Sequence, residues 1–222
     1  MTDAQKREVE KVIHDYIMAH PEVMIDALRG YQERQRQSAE KDAKQAVAAN
    51  LDAIERDPAS PVAGNPNGDV TIVEFFDYHC GYCKKAAPAV QELLKTDPNI
   101  RLVFKEFPIL GDESVQAAHY ALAAWKVAPG KYMPFHVALM EIRGSLSESR
   151  ILDAAKSVGI DPAKLKAAKD DPAIGSAIEQ TLILARTLQV SGTPAFVIGG
   201  QLVPGAIDVE AMRDMVKTAR DG

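Results

Sequence analysis

The chain has 222 residues, of which 46% are hydrophobic and 26% are charged, and its formal net charge is −5. This composition excludes a disordered chain, and the length suffices for one full-sized core with an additional segment. The mild acidic excess argues against a nucleic-acid partner, because phosphate binding requires a concentrated basic surface. No apolar run approaches the roughly 18–20 residues that cross a bilayer, so we expect no membrane-embedded segment.

Residues 1–56 form a predicted helical domain. Residues 3–19 place apolar side chains on one face of an amphipathic helix, at spacings of three and four residues. These side chains are Val9, Val12, Ile13, Tyr16 and Ile17. A second helix is predicted from Pro21, a residue suited to the first helical turn, and it continues to Glu55. Between residues 32 and 50 the apolar residues are alanines and one valine, so we expect a polar stalk with no core to bury.

The apolar stripe runs through residues 1–31 and then fades. Because a polar stalk separates this stripe from the remainder of the chain, we expect a second copy of the same stripe to cover it. The sequence therefore predicts a homo-oligomer formed through residues 1–31. The alternative is that these helices fold back onto the second domain.

The second predicted domain spans residues 57–222 and begins with a turn-rich linker over residues 57–68. Residues 70–76 are β-branched and aromatic, which predicts a buried central strand. A helix containing Pro88 follows, and a second strand is predicted over residues 100–109. A strand, a crossover helix and a second strand form a right-handed unit with parallel strands, so we predict an α/β domain.

The C-terminal half of this domain is predominantly helical. Residues 112–189 contain helical segments separated by glycine and proline breaks, and we interpret them as an insertion. Residues 195–198 and 201–204 are predicted to form a hairpin, and residues 207–219 a closing helix. The sequence thus predicts a sheet whose strands come from both sides of a helical insertion.

Cys80 and Cys83 are the only cysteines in the chain. A disulfide across two intervening residues closes too small a loop to add much stability, and a structural zinc site needs four ligands, so we expect redox chemistry. Cys80 would lie at a helix N-terminus, where free N–H groups and the helix dipole favour the thiolate. We predict that Cys80 is an exposed nucleophile and that Cys83, one turn inward, resolves mixed disulfides. The alternative interpretation is that Cys80 and Cys83 supply half of the ligands of a metal site.

Three neighbours of the cysteines are candidate modulating residues. Gly81 leaves room for a substrate chain. Tyr82 carries no formal positive charge, so we expect less stabilisation of the thiolate than a histidine would give at this position. His79 could stabilise the thiolate or bind a soft metal ion beside it, and the alternative is a solvent-facing side chain without a role.

Thr193 and Pro194 precede an apolar strand, where a proline cannot be an ordinary mid-strand residue. A cis bond before Pro194 would leave the backbone of Thr193 free to hold an extended substrate. A trans turn proline is the alternative. Together with the two-cysteine motif, the sequence favours the cis bond and a substrate-binding role for both residues.

Glu74 interrupts the first predicted strand, six residues before Cys80. A buried carboxylate is costly, so we expect its head either to reach solvent or to have a partner. Lys105, on the second predicted strand, is the candidate partner.

The segments 73–83 and 192–194 resemble the DsbA-like branch of the thioredoxin superfamily, and the resemblance extends from about residue 57 to the C-terminus. It implies a thioredoxin fold with an inserted helical subdomain. The resemblance also implies that Cys80 is the nucleophile, that Cys83 resolves and that the bond before Pro194 is cis. Glu74 matches the buried acid of this family, which can transfer a proton to the resolving thiol.

Residues 1–56 are similar, by pattern rather than by motif, to the N-terminal helical extension of the suppressor-of-copper-sensitivity protein C group. Some members of that group are trimeric disulfide isomerases, so the resemblance implies a homo-oligomer, with a trimer favoured. The dipeptide Gly81-Tyr82 is also found in the periplasmic isomerase DsbC, whereas DsbA has Pro-His. Both features favour an isomerase over an oxidase.

The resemblance implies a periplasmic disulfide isomerase or reductase that acts on misfolded or misoxidised client proteins. A membrane thiol reductase would keep the site reduced, and no cofactor or resident metal is expected. Residues 1–6 lead directly into a helix without the apolar region of a signal peptide, so we expect a processed form or a sequence without its signal. The alternatives are a monomeric dithiol oxidase and a copper(I)-binding protein for copper tolerance that uses Cys80, Cys83 and His79.

Overall fold

A computed structural model describes residues 1–221 of the chain. The chain divides into two compact units, of which the first is Met1–Asp42 and the second begins at Ala43. The second unit thus begins before the predicted domain boundary at residue 57. The reason is that Val47 and Ile54 are buried, with 1% and 0% of their surface exposed, in a cluster with core residues of the sheet. The predicted polar stalk therefore buries a core residue at its C-terminal end.

The N-terminal part of the chain contains two long helices. Helix α1 spans Asp3–Ala19 and begins with a capping box, in which the backbone N–H of Thr2 donates to the Gln5 side chain and the backbone N–H of Gln5 to the Thr2 hydroxyl. Helix α2 spans Glu22–Ala49. The predicted helix over residues 21–55 is interrupted at Asn50, and helix α3 follows over Leu51–Glu55.

The second unit contains a five-stranded mixed sheet with the strand order β1-β3-β2-β4-β5. The strands are β1 (Val62–Gly64), β2 (Val70–Phe76), β3 (Ile100–Glu106), β4 (Ala195–Ile198) and β5 (Gln201–Pro204). Strands β2 and β3 are parallel, and the other neighbouring pairs are antiparallel. Strand β1 lies within the predicted linker, which is rich in turn residues but contains Val62 and Ala63. Strand β3 ends at Glu106, three residues earlier than predicted, because the backbone turns away towards Asp77.

Helices flank the sheet and fill the insertion. They are α4 (Gly81–Thr96), α5 (Asp112–Val127), a short 3₁₀ helix (Pro129–Lys131), α6 (Tyr132–Glu141), α7 (Glu148–Ser157), α8 (Pro162–Ala168), α9 (Pro172–Thr187) and α10 (Val209–Asp221). The predicted helical insertion over residues 112–189 is thereby confirmed as α5 to α9. Within residues 1–221, no helix combines the length and the apolar character needed to cross a membrane.

The two faces of the sheet carry different residues because side chains alternate along each strand. Glu74 pairs in register with Phe104, and Phe75 pairs with Lys105. Glu74 and Lys105 therefore point to opposite faces, and the predicted pairing between them is wrong. The face of Glu74 packs against α4, α5 and α10, so it is the face beneath the two cysteines.

Candidate redox site

Cys80 is the N-cap residue of α4, where β2 ends and the helix begins. Its sulfur accepts a hydrogen bond from the backbone N–H of Cys83 at 3.4 Å and donates one to the carbonyl of Thr193 at 3.2 Å. Both cysteines are free. Cys80 is 6% exposed and Cys83 is fully buried, so Cys80 is the more accessible sulfur. The prediction of an exposed nucleophile is wrong, since Cys80 is almost fully buried and its sulfur lies against the carbonyl of Thr193.

Cys83 lies one turn into α4, and its burial raises the pKa of the thiol well above the ordinary value. Hydrogen bonds from the backbone of Asp77 and the side chain of Thr193 oppose this shift, and the negative charges of Glu74 and of a Cys80 thiolate add to it. Cys83 therefore stays protonated at neutral pH. A base near this sulfur is needed before it can attack a disulfide.

Glu74 is the buried acid on the same face of the sheet. It is 2% exposed, and within residues 1–221 its Oε1 has no hydrogen-bond partner. Burial alone raises the pKa of this carboxyl to about 8. The expectation that its head reaches solvent or has a partner is therefore wrong for Oε1. Instead of pairing with Glu74, Lys105 donates to the carbonyl of Ala53 at 2.7 Å and to Asp57 Oδ2 at 2.9 Å.

The peptide bond between Thr193 and Pro194 is cis, as the sequence predicts. The carbonyl of Pro194 accepts a hydrogen bond from the N–H of Gly205 at 2.8 Å. This loop, the first turns of α4 and the segment before α10 enclose a groove of about 690 Å³. Tyr82, Lys85 and Thr193 are among its lining residues, so the groove begins next to the cysteine motif.

His79 lies beside the site but makes no hydrogen bond to either sulfur among the described residues. Its Nδ1 is 3.8 Å from Glu113 Oε2, and its side chain is 42% exposed. Glu113 in turn accepts hydrogen bonds from Ser145 Oγ and the N–H of Leu146. The structure thus places His79 towards the helical insertion rather than towards the metal-binding position considered from the sequence.

A buried polar network under the site was missed by the sequence analysis. The hydroxyl of Tyr78 lies 3.2 Å from Glu106 Oε1 and 3.1 Å from His136 Nδ1, and the hydroxyl of Tyr132 lies 3.1 Å from Glu106 Oε1. Burial raises the pKa of Glu106 well above its usual range and lowers that of His136 to about 3. Burial thus disfavours the charged form of both groups. The sequence signals for this network were an acid, Glu106, at an inward position of β3, and Tyr132 and His136 one helical turn apart on α6.

Asp77 is a second residue that the sequence analysis did not single out. It is 1% exposed and directly precedes the cysteine loop, and its carboxylate accepts hydrogen bonds from four groups. The available signal was an aspartate placed just before a helix start, where its side chain can bond to the backbone two residues on.

Comparison with known families matches residues 71–217 to the DSBA-like thioredoxin domain. Residues 5–38 match the copper resistance protein ScsC N-terminal domain. The chain therefore belongs to the DsbA-like thioredoxin family, a family of thiol–disulfide oxidoreductases, and carries an N-terminal region of the ScsC type.

Individual relatives extend this assignment. Na⁺/H⁺ antiporter NhaA 1 of Salinispora arenicola is 32% identical over 162 residues, which are 72% of this chain but only 25% of the antiporter. The chain thus spans about a quarter of the length of this curated relative. A thioredoxin-like oxidoreductase from Silicibacter pomeroyi is 46% identical, with a TM-score of 0.74 over 78% of this chain and 99% of that one. A linker-deletion and N6K mutant of Proteus mirabilis ScsC is 28% identical, with a TM-score of 0.77 over 100% of this chain and 97% of that one.

Proposed function

We propose that this protein is a disulfide isomerase and reductase that shuffles non-native disulfides in exported client proteins. The observation that carries the proposal is the position of Cys80 at the N-cap of α4, with its sulfur accepting the Cys83 N–H beside the cis Pro194 loop. Unpaired N–H groups and the helix dipole favour a thiolate at this position. A reactive thiolate with a buried partner one turn inward is suited to thiol–disulfide exchange.

The first step joins the protein to its client. The Cys80 thiolate attacks one sulfur of a client disulfide, a sulfur–sulfur bond forms between Cys80 and the client, and the client's own disulfide breaks. The second client sulfur leaves as a thiolate. Cys83 takes no part in this step, since it is fully buried and protonated.

The mixed disulfide then has two ways to resolve. When another client thiolate attacks the client sulfur, a new client disulfide forms, the Cys80 thiolate is released, and no electrons are gained or lost overall. When Cys83 attacks Cys80 instead, a Cys80–Cys83 disulfide forms and the client leaves with two thiols, so two electrons have passed to the client. In the second case a membrane thiol reductase would supply two electrons to restore the dithiol.

Glu74 is the proposed proton acceptor for Cys83. Its carboxyl is buried on the sheet face beneath the two cysteines, and its charge is among the influences that raise the pKa of Cys83. A carboxyl with a pKa of about 8 is mostly protonated at pH 7, and its ionised fraction, which grows as the pH approaches 8, is the form that accepts a proton. We infer that the proton of Cys83 passes to Glu74 as the sulfur attacks.

The groove next to Tyr82 is the proposed binding surface for the client chain. It is lined by apolar atoms together with Lys85 and Asp208, and its lining includes Thr193, whose carbonyl accepts a hydrogen bond from the Cys80 sulfur. In this proposal Thr193 and Pro194 hold an extended client segment beside Cys80. Gly81 supports close approach, because a Cβ at this position would meet no atom within 4 Å.

The N-terminal helices are the proposed oligomerisation region, and a homotrimer is the favoured assembly. Large apolar side chains on this region are exposed to solvent: Val9 (47%), Val12 (63%), Ile13 (54%), Tyr16 (56%), Leu28 (57%) and Tyr31 (54%). The ScsC-type match over residues 5–38 covers the same region. Several active sites in one assembly would keep a misfolded client bound while its disulfides are rearranged. A periplasmic location fits this activity, since disulfides persist in oxidising compartments.

The test is the reactivation of a scrambled multi-disulfide protein by the full chain and by two charge variants of α1. Val9→Glu/Ile13→Glu places two charges on the apolar stripe, and His14→Glu/Met18→Glu places two charges on the opposite face. We expect the first variant to become monomeric by light scattering and to lose most of its reactivation activity. The second should match the wild type, and Cys80→Ser should be inactive. Full reactivation by a monomeric stripe variant would contradict the proposed role of the assembly.

Two alternative functions remain testable in the same samples. A monomeric dithiol oxidase would oxidise a reduced client faster than it repairs a scrambled one, regardless of the stripe variant. Copper(I) binding is suggested by the description of the matched N-terminal family as a copper resistance protein. Among residues 1–221, no three His, Cys, Asp or Glu side chains are grouped so that they could hold a metal ion, which leaves a two-sulfur site as the copper candidate. Tight stoichiometric copper(I) binding with negligible disulfide turnover would favour that function.

A further inference from the structure

Asp77 connects three parts of the second unit through one buried carboxylate. Its Oδ1 accepts from the N–H of His79 at 2.7 Å and from Ser114 Oγ at 2.7 Å. Its Oδ2 accepts from the N–H groups of Ile109 and Leu110 at 2.9 and 3.0 Å. The cysteine loop, the segment after β3 and the first turn of α5 are thus held by a single side chain.

The backbone of Asp77 faces the two sulfur-bearing residues. Its carbonyl accepts the N–H of Cys80 at 3.1 Å, which closes the turn that leads into α4. Its own backbone provides a hydrogen bond that favours the charged form of Cys83. The backbone of Asp77 therefore contacts both cysteines. It fixes the turn that ends at Cys80, and it provides a hydrogen bond to the Cys83 sulfur.

Resting on the proposed exchange activity, we propose that Asp77 is the positioning residue of the redox site, and that its carboxylate fixes the turn that presents Cys80 as a thiolate. Asp77 touches no client and transfers no proton in this proposal. It acts through Cys80, whose sulfur must remain at the N-cap to accept the Cys83 N–H. Four donors on one buried carboxylate are enough to hold such a turn rigidly, because an unmet buried donor is unfavourable.

The neighbouring groups do not substitute for this carboxylate. Glu113 is occupied with Ser145 and Leu146, and Glu74 lies on the sheet itself. The donors that Asp77 accepts come from backbone N–H groups and a serine, none of which changes charge. We therefore expect the effect of Asp77 to be geometric, and to appear in the reactivity of Cys80.

The test compares Asp77→Ala, Asp77→Asn and Ser114→Ala in the full chain, each with Cys83→Ala so that Cys80 is the only thiol. The measurement is the rate of Cys80 alkylation by iodoacetamide at pH 7. We expect about a tenfold decrease for alanine, about threefold for asparagine, which keeps the shape and one acceptor, and less than about twofold for Ser114→Ala. A matched control is Asp161→Ala, since Asp161 caps α8 through the N–H of Ala163 at 2.9 Å, within the helical insertion.

A second readout separates positioning from folding. With both cysteines present, the equilibrium of Asp77→Ala with glutathione should shift about tenfold towards the disulfide, because the reduced form loses the thiolate that the turn stabilises. A purely structural role would lower the melting temperature of Asp77→Ala and Asp161→Ala alike without changing either thiol measurement. If Asp77→Ala does not fold, the decrease of about threefold expected for Asp77→Asn carries the test, with Ser114→Ala as the variant that should change little.

The outcomes also separate this inference from the proposed function. Wild-type alkylation and glutathione equilibrium in Asp77→Asn and Asp77→Ala would overturn the positioning role, even if the protein repairs scrambled disulfides. Slower alkylation in the Asp77 variants, together with a wild-type protein that turns over no disulfides, would support the positioning role and contradict the exchange activity.

Discussion

Glu74 and Lys105 lie on opposite faces of the same sheet, in neighbouring strands, and both are almost fully buried. Lys105 has two partners, the carbonyl of Ala53 and the carboxylate of Asp57, so its charge is compensated. The Oε1 of Glu74 has none within the described chain, and burial raises the pKa of this carboxyl to about 8. A buried ionisable group with partners can thus keep its charge inside a fold, whereas one without partners shifts its pKa and is kept at a cost in stability.

The largest effect is expected when the buried ion pair between Lys105 and Asp57 is broken. Asp57→Ala leaves the Lys105 ammonium buried without its counter-ion, and we expect the free energy of unfolding to fall by about 3–5 kcal/mol. Urea unfolding at pH 7 measures this change. Adding Lys105→Met should restore part of the loss, and Asp52→Ala, which removes an exposed ion pair with Arg56, should change stability by less than about 1 kcal/mol. Equal losses for Asp52 and Asp57 variants would show that the buried pair is unimportant.

On the opposite face of the sheet, removal of the Glu74 carboxyl should stabilise the protein. The unfolded chain ionises Glu74 near pH 4.5 and the native protein only near pH 8, so this residue lowers the free energy of unfolding as the pH rises between these values. Glu74→Gln removes that penalty, and we expect a gain of about 3 kcal/mol at pH 7 and none at pH 4. Urea unfolding across this pH range provides the measurement, with the exposed Glu179→Gln as the control.

Glu74→Gln should also slow the attack of Cys83 on the mixed disulfide. Without a proton acceptor beside Cys83, the mixed disulfide should resolve at least about tenfold more slowly, while its formation by Cys80 is unchanged. Acid quenching followed by gel analysis of the trapped client complex measures both steps. A faster or unaltered resolving step in Glu74→Gln would remove Glu74 from the proposed mechanism.

The smallest effect is expected in the network around Glu106. Tyr132→Phe removes one of the two tyrosine hydroxyls that contact Glu106 Oε1, while Tyr78 remains, so we expect a loss of about 1 kcal/mol. Thermal unfolding measures it, and the matched control is Tyr82→Phe on a side chain that is 68% exposed. A loss above about 3 kcal/mol would mean that the network behaves as one cooperative unit.

Local patterns predicted much of the second unit. Strand β2, the hairpin of β4 and β5 and the helical insertion follow from runs of apolar residues and from glycine and proline breaks, which act over a few residues. The cis bond before Pro194 follows from a proline just before an apolar strand taken together with the two-cysteine motif. Strand β1 was missed, because three residues paired to β3 carry too short a pattern to distinguish from a turn.

Contacts between distant residues could not be predicted in the same way. The pairing of Glu74 with Lys105 failed because it required the register of two strands, and a shift of one residue moves a side chain to the other face. Val47 was assigned to a polar stalk because a single valine among alanines gives no periodic signal. The four donors of Asp77 come from residues up to 37 positions away, so only the three-dimensional structure brings them together.

The two residues between the sulfurs make few demands on the fold. A Cβ at Gly81 would meet no atom within 4 Å, and the ring of Tyr82 projects into solvent. Many other dipeptides would therefore fit between Cys80 and Cys83 with the surrounding core unchanged. In this architecture, the reduction potential of the site can be adjusted by residues 81 and 82, while the packing of the core that stabilises the domain stays the same.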